Sequence, residues 1–186
     1  MVTPRTVVLV EGDSDRVALQ TLAARRGRDL VAEGVRIVAM GGVTNIRTFA
    51  RRYGPLGLQL TVAGLYDAAD EAKVRRGLLA AGMSDALTAE ALPQLGFYQC
   101  TVDLEDELIR ALGIQGVEAV IEAAGETRSL RLLAQMPAQR GWPREAVLRR
   151  FLGVRSGRKT RYAALLVGAL DLDRVPEPLE QLLARV

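Results

Sequence analysis

The chain contains no histidine, and that absence removes more chemistry than any other feature of its composition. Ser-His-Asp triads, Cys-His pairs and His-ligated zinc are all excluded within it. A single cysteine, Cys100, excludes internal disulfides and multi-cysteine metal sites. On its own it reads as a small buried strand residue. Aromatic residues make up only 4% of the chain, so the core must be mostly Leu, Val and Ala. The same scarcity weakens binding schemes built on rows of stacked rings. No apolar run approaches the ~20 residues of a membrane span. The first residues carry no signal-peptide pattern, so a cytoplasmic protein without a membrane partner is expected.

What is present is enough for a folded α/β protein. Hydrophobic residues account for 49% of 186 residues, sufficient for one domain with a small extension. Catalysis without histidine must draw on carboxylates, Lys, Arg, Tyr, Ser or a bound metal. The net charge is only +3, yet it is unevenly spread. Residues 128–161 hold ten basic residues and one acid, Glu145, a net of +9. That segment is either a solvated helical face or an anion-binding surface. Of the 25 basic residues, 23 are Arg.

Four short β-rich runs alternate with helical patterns. Strands are expected at Thr6–Val10, Val35–Met40, Leu58–Tyr66 and Phe97–Val102. Helices are expected after Ser14, a candidate cap, from about Thr44 to Tyr53, and from about Asp70 to Ala81. This rhythm implies right-handed βαβ units and a Rossmann-like parallel sheet with helices on both faces. Beyond Leu104 only helical patterns follow, broken by Gly113, Gly125, Gly141, Pro143 and Gly153. The expected organisation is therefore an α/β core over 1–112 and a helical extension with the basic segment over 113–186.

In a parallel sheet the residues just past each strand share one crevice. Here those residues are Glu11, Gly41-Gly42, Asp67 and Asp103-Leu104-Glu105. Asp15, four residues after Glu11, can face the same crevice, and Gly12 would let the chain turn sharply out of its strand. Converging carboxylates repel one another unless a hard cation, Mg²⁺ or Mn²⁺, lies between them. The alternative is that these acids cap helix N-termini. Asn45 could cap its helix or touch a substrate.

These segments also resemble a known family. Val10-Glu11-Gly12-Asp13-Ser14-Asp15 resembles the first motif of the Toprim fold, an apolar strand ending in Glu-Gly-x-x-Asp. Leu65-Tyr66-Asp67 resembles its second, normally Asp-x-Asp. The nearest likeness is to the Toprim domain of overcoming-lysogenization-defect (OLD) family nucleases. Gly41-Gly42-Val43-Thr44-Asn45-Ile46 resembles the loop after their second strand. Asp103-Leu104-Glu105-Asp106-Glu107-Leu108 resembles the acidic motif after their fourth. Ser156-Gly157-Arg158-Lys159-Thr160-Arg161-Tyr162-Ala163 resembles their late basic motif. The second acid of Asp-x-Asp is Ala69 here. Asp70 or Glu71 could take its place, or the metal has fewer protein ligands.

The resemblance implies metal-dependent phosphodiester chemistry on nucleic acid, in the manner of a Mg²⁺-dependent nuclease of DNA processing or repair. Glu11, Asp15 and Asp67 would hold one ion, while Asp103 and Glu105 would hold or share a second. Glu11 could instead act as general acid or base. Lys159 would neutralise charge on the phosphate, and Arg155, Arg158 and Arg161 would contact the nucleic acid. OLD nucleases also carry an ATPase domain, and none is expected within these residues. The alternative is therefore a non-catalytic metal- and nucleic-acid-binding module acting with a partner ATPase or repair protein.

Overall fold

The computed structural model describes residues 3–86, 88–153 and 157–186. Its centre is a four-stranded parallel sheet of β1 (Thr6–Val10), β2 (Val35–Ala39), β3 (Thr61–Asp67) and β4 (Phe97–Cys100), in the order β2-β1-β3-β4. Thr6 pairs with Val35 on one side and Thr61 on the other, and Gly64 pairs with Phe97. β1 lies inside the sheet and is apolar on both faces, as a strand covered on both sides must be.

Side-chain alternation along β1 divides the core. Val7 and Leu9 pack with the helices α2 (Ile46–Tyr53) and α3 (Glu71–Ala80). Val8 and Val10 face the opposite layer. That layer holds α1 (Asp13–Arg25), α4 (Leu104–Ala123), α5 (Thr127–Gln135), α6 (Arg144–Gly153), α7 (Arg158–Ala169) and α8 (Glu177–Arg185). The late helices thus share a core with the sheet. Arg25 fastens them, donating to the Val167 and Leu170 carbonyls at the end of α7, each at 2.7 Å. Gly113, at φ +72°, kinks α4, and among the described residues no helix is long and apolar enough to cross a membrane.

The expected elements form, with shifted ends. β3 starts at Thr61 rather than Leu58 because Leu58 and Gln59 fold back on α2. Their N–H groups donate to the Arg52 and Gly54 carbonyls, and Gln59 takes φ +56°. β4 stops at Cys100 because the Thr101 N–H is claimed by the Glu107 carboxylate at 2.7 Å. Ser14 does not cap α1. Gly12 occupies that position, Ser14 is buried in the first turn, and the Asp15 carboxylate accepts the Gly12 N–H at 2.8 Å. Gly12 is extended, at φ −136°, so its conformation does not require glycine. Cys100 is a buried free thiol, and burial pushes its pKa up.

Candidate functional site

The parallel topology delivers the strand-end acids to one edge. Glu11, Asp15, Asp67 and Asp103 line a cleft of about 390 Å³ together with Gly41, Gly42 and Lys159. Gly41 and Gly42 have φ of +71° and +124°, a region that disfavours side chains, and the Gly42 N–H donates to the Glu11 carbonyl at 3.1 Å. The loop after β2 is thereby pinned beside β1 while leaving its own wall of the cleft bare. Asn45 occupies the N-cap position of α2, but its side chain makes no cap hydrogen bond; its amide instead donates to the Met40 carbonyl at 2.9 Å and holds the same loop closed.

Asp70 completes the acidic centre. Carboxylate oxygens of Glu11, Asp67 and Asp70 lie within 4.8 Å of one another, the single such triad among the described residues. Its placement follows from the 3₁₀ turn Ala68–Asp70 that succeeds Asp67. With three residues per turn, positions i and i+3 eclipse, so Asp70 returns to the side of Asp67 while Ala69 does not. Lys73 pairs with Asp70 at 2.5 Å. That partner is legible in the sequence as an i,i+3 pair, although attention to the strand ends passes over it.

The electrostatics record the crowding. Burial, then the neighbouring Glu11, Asp15 and Asp103, push the Asp67 carboxyl up to about 7. Glu11 is also raised, by burial and by Asp15 and Asp70, with Lys159 and Lys73 offsetting part of the effect. Burial raises Asp15 against the restraint of the Gly12 N–H and Lys159. Such a set is strained when fully ionised, and its all-oxygen donors fit a hard divalent cation such as Mg²⁺ or Mn²⁺.

The remaining acids are already matched. Asp103 caps α4 by accepting the Asp106 N–H at 2.9 Å, and it takes two hydrogen bonds from Arg149, at 2.9 and 2.6 Å. Glu105 is buried and meets the Lys159 ammonium at 3.1 Å. Burial works against the Lys159 charge, but Glu105, Asp15 and Asp103 outweigh it and hold the pKa above the usual lysine range. Arg149 lies 46 residues from Asp103 and carries no local signal that would have found it.

Among the described residues, five of the ten basic residues of the late segment, Arg144, Arg149, Arg158, Lys159 and Arg161, make ion pairs within the fold. Arg158 is buried, its guanidinium 4.1 Å from the centroid of the Phe151 ring, and it pairs with Glu126 at 2.5 Å. Arg161 holds the other oxygen of Glu126 at 2.6 Å, and Arg144 pairs with Glu118 at 2.5 Å. Arg158 is thereby removed from the surface, whereas Arg161 stays exposed with its guanidinium on Glu126. Arg155 lies outside the described residues.

With this geometry in place, residues 4–68 match the family described as overcoming lysogenization defect protein-like, TOPRIM domain. The chain carries a Toprim domain of the OLD type. Solved structures extend the likeness beyond the matched stretch. The C-terminal region of the Xanthomonas campestris pv. campestris OLD protein superposes with a TM-score of 0.71 at 26% identity, covering 99% of this chain and 95% of that one. The corresponding region of the Burkholderia pseudomallei OLD protein gives 0.68 at 23% identity over 97% and 96%, a likeness of fold. No curated protein matches the chain. The late helices that follow the Toprim domain therefore have counterparts in the Xanthomonas structure.

Proposed function

We propose that this protein cleaves phosphodiester bonds in nucleic acid with the help of one divalent ion, Mg²⁺ or Mn²⁺, held by Glu11, Asp67 and Asp70. The observation that carries the reading is the return of Asp70 to the centre, within 4.8 Å of Glu11 and Asp67, where the Toprim pattern would place an acid at Ala69. Asp15 supports the ligands by fixing the backbone that presents Glu11. Polarisation of a phosphoryl oxygen and a lower pKa for the attacking water are what a bound ion contributes.

The chain's own groups supply the rest. Lys159, kept cationic by Glu105, faces the same cleft as Glu11 and Asp67, and so offsets the negative charge that grows on a phosphate there. The bare Gly41-Gly42 wall leaves space for a sugar-phosphate backbone to approach. Asp103 and Glu105 are neutralised by Arg149 and Lys159, which favours one ion at the triad over two ions shared among all the acids. The same neutralisation favours a second reading, a metal- and nucleic-acid-binding module that works with a partner ATPase or repair protein.

One experiment separates the two. The purified protein is incubated with mixed DNA and RNA substrates and Mg²⁺ or Mn²⁺, beside Glu11→Gln prepared identically. Cleavage that needs the ion and vanishes in Glu11→Gln is the expected result. Absence of cleavage with either ion, or equal cleavage by the variant, overturns the catalytic reading.

A further inference from the structure

A second depression, of about 440 Å³, adjoins the acidic cleft and shares Asp103 and Lys159 with it. Its other walls come from α6 and the loop before it: Trp142, Arg149 and Arg150, with Ala146 and Gly153 leaving it open. Trp142 is the only tryptophan in the chain. It is 43% exposed, although an aromatic-poor protein has every packing reason to bury its largest side chain. Arg150 is exposed and makes no ion pair among the described residues, whereas Arg144, Arg149, Arg158, Lys159 and Arg161 all do.

We infer that this depression seats an unpaired nucleotide next to the phosphate held in the acidic cleft. The substrate class is then single-stranded nucleic acid, or a duplex with an unpaired end. An exposed indole offers a flat face on which any base can stack, and the adjacent Arg150 supplies charge for the phosphate. Bases inside a duplex present their edges rather than their faces, so a continuous duplex cannot use Trp142. Asp103 and Glu105 at the floor do not repel the strand, because Arg149 and Lys159 already compensate them. The inference rests on the nucleic-acid reading above but not on cleavage.

The single tryptophan makes the test direct. Its emission is followed in EDTA while oligo(dT), oligo(U) or a closed hairpin duplex without free ends is added to the full chain. Saturable quenching by one or both single strands, and little by the duplex, is expected. Read by the anisotropy of an end-labelled strand, because the variants carry no tryptophan, Trp142→Ala should weaken binding of the better strand about tenfold, as loss of one base stack does, while Trp142→Phe keeps most of the affinity. Thermal melts of both variants report whether the fold is intact. Arg150→Ala should lower the salt slope of binding by about one phosphate contact. Quenching by the duplex equal to that by the strands, no quenching at all, or unchanged affinity in a folded Trp142→Ala overturns the inference. Because no ion is present, the outcome is independent of whether the protein cleaves; a protein that binds strands yet never cuts would defeat only the catalytic reading.

Discussion

The ammonium of Lys159 lies 3.1 Å from the carboxylate of Glu105, joining the first turn of α7 to the first turn of α4. One contact thus carries a cation from the late helices to the acidic edge of the Toprim sheet. Glu105 is buried, so removal of its partner strands a carboxylate away from water. Lys159→Ala should therefore lower both stability and cleavage, the latter by about a hundredfold. Adding Glu105→Gln should recover most of the lost melting temperature and none of the cleavage rate. Recovery of both together would show that Lys159 only supports the fold.

Asp70 is engaged by Lys73 as well as facing Glu11 and Asp67. An ion at the triad competes with that ammonium. Lys73→Met should tighten Mg²⁺ or Mn²⁺ binding about twofold to fivefold, in line with an exposed pair worth up to about 1 kcal/mol. Asp70→Asn should abolish the metal-induced rise in melting temperature as fully as Asp67→Asn does. Ala69→Asp should bring no gain, since the acid it would restore is already supplied one residue later. Calorimetric titration of the folded variants checks all three.

The sheet and its acidic edge were legible because parallel pairing leaves no freedom. Once four β-rich runs alternate with helices, Glu11, Asp67 and Asp103 must emerge at the same edge. Asp70 was only half legible: its neighbourhood was evident, but the 3₁₀ turn that rotates it over Asp67 depends on the path of the chain after β3. The fate of the arginines was not legible. A net +9 over 128–161 describes a composition, whereas pairing with Glu118, Glu126 and Asp103 depends on how α6 and α7 dock on α4. No local spacing encodes that docking.

The raised Asp67 carboxyl makes the metal-free protein sensitive to alkali. Its pKa is about 7 in the folded chain against 3.8 for an ordinary aspartate, so the folded state holds a proton that the unfolded state has released. Its contribution to stability is complete below about pH 4 and is lost as pH rises through about 7. Glu11, Asp15 and Glu105, also raised, act in the same direction. In EDTA the melting temperature should fall from about pH 5 to about pH 8, and Asp67→Asn should flatten that fall. Mg²⁺ should stabilise more at the alkaline end, where the carboxylates are ionised. A melting temperature that climbs over this range in EDTA would contradict the buried, crowded state of Asp67.

Arg158 and Arg150 lie eight residues apart in one basic segment, and the structure gives them opposite duties. Arg158 is buried over Phe151 and shares Glu126 with Arg161. Arg158→Ala leaves Glu126 with one partner and an emptied space beside Phe151, so it should cost about 2 to 4 kcal/mol of stability. Arg158→Lys should not restore it, because an ammonium cannot both lie flat over the ring and reach the carboxylate. At temperatures where Arg158→Ala remains folded, its nucleic-acid binding should keep the wild-type salt slope. Arg150→Ala should do the reverse, leaving the unfolding free energy within about 0.5 kcal/mol of wild type while reducing the slope of log affinity against log salt by about one. If Arg158→Ala changed the slope instead, the clamp would have to open in the complex and release that guanidinium to the phosphates. Urea unfolding and salt-dependent binding, measured side by side on the two variants, separate these outcomes.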